Sequence, residues 1–112
     1  MRGQLKAITI YFLDLALQNE LRFRQFLGAT LSTKLPNQRG GRRVAMLERA
    51  IAESGIKLTA KKRTGLVRGL AAASGAEAMI VHYDILGLDE KAARETALDM
   101  AEAIIDRHLG QT

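Results

Sequence analysis

A single proline, Pro36, stands in this chain, and on both sides of it the apolar residues recur at three- and four-residue steps. That spacing is the period of one α-helical face, whereas a half-buried strand would alternate at every second residue. Residues 4–31 lack proline and have no glycine before Gly28. Within them Leu5, Ile8, Phe12, Leu15, Asn19, Arg22, Phe23, Phe26 and Leu27 largely keep the helical step, which predicts one long helix with a strongly apolar face. The stretch STKLPNQRGG, residues 32–41, holds the proline, Asn37 and two glycines and reads as the clearest loop.

Val44, Leu47 and Ile51 place a second helix over residues 42–54, with Gly55 where a left-handed C-terminal cap is expected. Thr59 then suits an N-cap, its hydroxyl accepting a first-turn amide of a helix that runs to about residue 73. Leu66, Val67 and Leu70 form the apolar stripe of that helix. Gly65 and Gly69 share one of its faces and permit close helix approach. Gly75 breaks the pattern, and AEAMIVHYDIL, residues 76–86, is by local propensity either a short buried helix or a strand. Its helical neighbours favour helix. Gly87 and Leu88 make the next turn, and Asp89 caps a final helix that ends before Gly110. The expectation is an all-α fold: one domain over residues 1–112, a bundle of about five helices.

Composition agrees, because 4% aromatic residues among 47% hydrophobic ones suit helices better than a β-sandwich or barrel. With no cysteine, disulfides, thiolate metal sites and thiol nucleophiles are excluded. No apolar run approaches the roughly twenty residues that span a bilayer, and no cleavable signal is recognisable, so a cytoplasmic protein without membrane contact is expected. The net charge of +5 is unevenly distributed. Residues 1–74 hold 14 Lys and Arg against 4 Asp and Glu, and residues 75–112 hold 3 against 8.

Arg39, Arg42, Arg43, Lys61, Lys62 and Arg63 are the candidates for phosphate contacts. No aromatic stacking platform is interleaved with them and no reading helix is recognisable, so a solvated basic surface is the simpler account. His82 with Asp84, and His108 with Asp106, are alternate residues that diverge on a helix. Glu95, Asp99, Glu102 and Asp106 share helical steps but include no histidine, which favours a solvated acidic face over a cation site. Neither a nucleophile triad nor a phosphate loop is present, so no enzymatic activity, cofactor or metal is expected. Glu20 and Arg24 have the spacing of an intrahelical ion pair. Asn19, on the apolar side, must find a hydrogen bond, either to a neighbouring helix or to a ligand.

On the final helix Ala93, Ala97, Met100, Ala101, Ile104 and His108 share one face, and Ala76, Met79, Ile80 and Tyr83 add a second strip in the preceding segment. Either these residues fill the chain's own core, or two such hairpins pair about a two-fold axis into an intermolecular four-helix bundle of a homodimer.

The segments NELRFRQFL (residues 19–27), GRRVAMLERAIAE (41–53) and LTAKKRTGLVRGLAAASGAEAMIVHYDILGLDEKAARETALDMAEAIIDRHL (58–109) carry a likeness. Their order resembles the C-terminal effector-binding and dimerisation domain of TetR/AcrR-family transcriptional regulators, most specifically in the run from Gly75 to Ala93. The resemblance implies a one-component bacterial regulator in which a small molecule in the helical body alters the spacing of two DNA-binding domains across a dimer. Nothing before Gln4 supplies the helix-turn-helix domain of such regulators, so operator DNA would be bound only through an N-terminal domain that this chain lacks. Candidate lining residues for the effector pocket are Phe12, Phe23, Phe26, Met46, Leu70, Met79 and His82, which could equally fill the core. The rival is a self-contained helical module that docks a protein or nucleic acid through the basic loop around residues 39–43.

Overall fold

The computed structural model describes residues 1–31 and 41–110. Among them are six α-helices and one π-helical turn: α1 (Arg2–Gln18), α2 (Glu20–Leu31), α3 (Gly41–Ser54), α4 (Ala60–Ala72), α5 (Gly75–Ile80), the π turn (Val81–Ile85) and α6 (Glu90–Leu109). The all-α expectation holds. Residues 32–40 of the expected loop, Arg39 included, lie outside the described residues.

The single long helix expected over residues 4–31 is two helices, which corrects the count of about five. The cause is local. Asn19 Nδ2 donates to the Leu15 carbonyl at 2.9 Å, while the Asn19 amide turns to the Ala16 carbonyl at 3.1 Å. A side chain has thus taken the acceptor that the backbone of a continuous helix would use, and Asn19 leaves the helical region at φ −130°, ψ 41°. Asn19 satisfies its amide within its own helix and not on a neighbour.

Other boundaries follow short-range chemistry. Thr59 accepts from the Lys62 amide at 3.2 Å and Asp89 from the Ala92 amide at 2.8 Å, each satisfying a first-turn donor. Gly55 and Gly110 end their helices at φ 73° and 82°, where a side chain would be strained. Residues 76–85 of the expected 76–86 are helical, but the second half widens: the Leu86 amide reaches the Val81 carbonyl at 2.9 Å, a five-residue step.

Helix α1 packs against α3, α5 and α6. Its Leu5, Ile8 and Phe12 enter one core cluster with Leu47 and Ile51 of α3, Leu66 and Leu70 of α4, and Ile105 of α6. Its Leu13 and Ala16 enter a second with Leu27 of α2, Met79 of α5 and Ala97 of α6. Each fully buried leucine among them contributes on the order of 1.5–3 kcal/mol by leaving water. Helix α6 also crosses α4, with Ile104 over Gly69 and His108 over Gly65, so the glycine pair does mark a close helix approach.

The charge asymmetry is resolved by pairing across elements. Arg2 meets Asp106 at 2.6 Å, Arg24 clamps Asp84 through two bonds of 2.7 and 2.8 Å, and Arg43 meets Glu77 at 3.0 Å. Arg94 pairs with Asp14 in the opposite sense. Basic residues of the body thereby hold acidic residues of the C-terminal third. Among the described residues no helix is long and apolar enough to cross a membrane.

Candidate functional site

The break at Asn19 lets α2 turn away from the line of α1, and an apolar cleft opens between them, the start of α3 and the start of α5. Its volume is about 200 Å³, and its apolar wall is Phe12 and Leu15 of α1 with Phe23, Phe26 and Leu27 of α2. Among the described residues the polar side chains on it are Arg42 and Arg43 of α3 and Glu77 of α5. Phe26 is half exposed at its edge, whereas Phe12 lies buried at its base with Tyr11 edge-on to the ring at 5.1 Å.

The two arginines differ in their commitments. Arg43 donates through Nη2 to Glu77 Oε1 at 3.0 Å and through Nε to the Ala71 carbonyl at 3.1 Å. It therefore joins the cleft to the end of α4 and the first turn of α5. The guanidinium also occupies the space where a Cβ on Gly75 would stand, so its approach depends on that glycine, which has φ 82°. Arg42 lies over the Phe12 ring at 5.9 Å and, among the described residues, makes no hydrogen bond or ion pair.

Of the residues expected to line a pocket, Phe12, Phe23 and Phe26 meet in this cleft. Leu70 and Met79 are instead fully buried in the two core clusters, and Met46 stands exposed on the outside of α3. Those three do not line the cleft. His82 is buried away from it, and among the described residues neither ring nitrogen has a partner. Burial alone pushes its pKa below the ordinary histidine value. Leu15, Leu27, Arg42, Arg43 and Glu77 were not assigned to a pocket from the sequence. They come from four elements, and no local spacing links them.

The stripe expected to meet a second copy is also largely used within the chain. Ala93, Ala97 and Ala101 are fully buried, as is Met79, and Ala76 is buried beside it, so they present no surface to a partner. Ile80 and Tyr83 pack partly against the second cluster, while Ile104 and His108 lie on the glycines of α4. Met100 alone of that set is substantially exposed. The physical reason is that small residues let α6 settle closely on its own neighbours. Exposed apolar side chains remain on the π turn and after it, at Val81, Ile85 and Leu86.

A second concavity, open and basic, lies where the start of α4 meets the end of α6. Among the described residues Lys61, Lys62, Arg68 and Arg107 line it with His108, no carboxylate does, and none of those four cations is in an ion pair. Arg63 lies outside this groove, on the neighbouring side of α4. Among the described residues no group of three or more metal-ligating side chains forms. Glu102 lies 3.8 Å from Lys6, and Asp106 is held by Arg2.

Fold and cleft together give an all-helical arrangement of the described residues with an apolar cleft edged by Arg42, Arg43 and Glu77. Compared with protein-family models, curated proteins and solved structures, the chain matches none.

Proposed function

We propose that this chain is the effector-sensing and dimerising domain of a TetR-like bacterial transcriptional regulator, with no catalytic activity of its own. A small molecule in the cleft controls DNA binding by an N-terminal domain. The observation that supports this reading is the cleft itself: it is apolar, formed by helices from both core clusters, and joined by Arg43 to α4 and α5. A ligand that favours one setting of α2 and α3 against α5 would shift the population of that setting through the Arg43–Glu77 pair. On this reading the dimer contact is made by residues left exposed, Val81 and Ile85 with Met100, beside the buried alanine stripe.

Two measurements test it. Light scattering on the chain at micromolar concentration gives twice 12.3 kDa, and Ile85→Glu shifts it to a monomer. A library of small apolar compounds raises the melting temperature of the wild type and not of Phe23→Trp, which fills the cleft. A monomeric wild type, or a library without a single stabilising member, overturns the reading.

One observation favours a second reading, an interaction module for polyanions. Among the described residues the groove of Lys61, Lys62, Arg68 and Arg107 has unpaired cations and no balancing carboxylate on its walls. If it holds a nucleic-acid backbone, affinity for duplex DNA falls steeply with salt and the slope flattens in Lys61→Gln/Lys62→Gln. Salt-insensitive or absent DNA binding by this chain removes that reading.

A further inference from the structure

Among the described residues every polar side chain on the cleft is ionic: Arg42, Arg43 and Glu77. Among the described residues that line it, none offers a hydroxyl or carboxamide to orient a neutral polar ligand. Among the described residues Arg43 pairs with Glu77, and the Arg42 guanidinium is the cation on the cleft whose N–H donors stand uncommitted, above the Phe12 ring. It stands in the first turn of α3, where no acidic residue offsets the positive end of the helix dipole. The field of the helix therefore adds to that of the guanidinium.

We infer that the cleft takes a small amphipathic monoanion, with its apolar body against Phe12, Phe23 and Phe26 and its carboxylate or equivalent group on Arg42. The charge balance selects among occupants. A cation would enter beside an unneutralised guanidinium and be repelled, and a dianion would need Arg43 as well, at the cost of the Arg43–Glu77 pair. A neutral hydrocarbon would bury the phenylalanines and leave Arg42 without an acceptor. The cavity of about 200 Å³ is smaller than the ~300 Å³ at which drug-sized sites begin, which sets the scale at a medium-chain or single-ring acid. Bidentate bonding to a planar guanidinium adds orientation to charge. This assignment rests on the sensing reading for the ligand's role, although the binding chemistry stands apart from it.

The probes are octanoate, 1-octanol and octylamine, titrated calorimetrically into the 112-residue chain. Octanoate binds at least about tenfold more tightly than 1-octanol, in line with a charge-assisted hydrogen bond, and octylamine does not bind. Arg42→Gln removes that advantage, so that octanoate and 1-octanol bind this variant alike, Phe23→Trp abolishes both, and Lys61→Gln/Lys62→Gln alters neither. Circular dichroism establishes that each variant is folded. Equal affinity for octanoate and 1-octanol, unmoved by Arg42→Gln, overturns the anion assignment while leaving an apolar sensing cleft intact. Octanoate binding that survives Phe23→Trp overturns it by placing the anion elsewhere. Failure of all three probes also overturns it, and the library measurement then decides separately whether the cleft senses any ligand.

Discussion

Cγ2 of Ile104 stands 2.9 Å from the point where a Cβ on Gly69 would lie, so α6 rests on α4 through the missing side chain. Gly69→Ala should gain about 1 kcal/mol of helix propensity and lose about 1–3 kcal/mol to overpacking, for a net destabilisation on the order of 1 kcal/mol. Gly65→Ala meets the end of the His108 ring, whose outward swing gives up the Nδ1 contact to the Ile104 carbonyl at 2.8 Å, a loss of about 1 kcal/mol that the gained helix propensity offsets, so it should be near neutral. Urea denaturation of both variants checks the contrast. Equal losses would refute it, and Gly69→Ala should be partly rescued by Ile104→Ala.

Asn19→Ala removes the side-chain bond to Leu15 worth about 1 kcal/mol and returns some helix propensity, so stability should change by less than about 1 kcal/mol. The bend, however, loses its cause. A straightened α1–α2 withdraws Phe23 and Phe26 from the cleft, and compounds that stabilise the wild type should no longer raise the melting temperature. A variant that keeps full ligand response would show that the bend is held by packing alone.

Gly75→Ala introduces a side chain at φ 82° and into the space of the Arg43 guanidinium. Left-handed strain costs about 1–2 kcal/mol, and displacing Arg43 breaks its bonds to Ala71 and Glu77, so a loss above about 2 kcal/mol is expected in chemical denaturation. In a Glu77→Gln background the extra penalty should shrink, because the ion pair is already absent.

His82 makes stability pH-dependent in a defined direction. Its pKa is depressed in the folded chain by burial, so between that value and the ordinary one near 6.5 the unfolded chain binds more protons. Stability should be constant above about pH 7 and fall as the pH drops below about 6.5, by at most about 1.4 kcal/mol per pH unit. His82→Leu should flatten this slope and, by removing two unpartnered buried nitrogens, raise stability by about 1–3 kcal/mol. The same slope in His82→Leu would assign the effect to another group.

Much of the helical layout was legible because caps are local: Thr59, Asp89, Gly55 and Gly110 act on backbone groups within a few residues. The break at Asn19 was hidden because Leu15, Asn19 and Phe23 keep the four-residue step straight through it. Periodicity reports that a face is buried and does not say by what, which is why the alanines of α6 could be read as a surface for a second copy while they fill their own core. The Gly65–Gly69 spacing announced a close neighbour without naming α6. In the cleft, three phenylalanines could be anticipated from one apolar face. Arg42, Arg43 and Glu77 could not, since only the tertiary fold brings α3 and α5 against α2.

Helix α1 feeds both core clusters, with Leu5, Ile8 and Phe12 in one and Leu13 and Ala16 in the other. Neither cluster can melt while the other keeps α1 in place, so the domain should lose its structure in a single cooperative transition, with coincident far-ultraviolet and calorimetric midpoints. Energy delivered to Phe12 by a bound molecule is consequently shared by the whole domain, including the far turn of α6 that touches no part of the cleft.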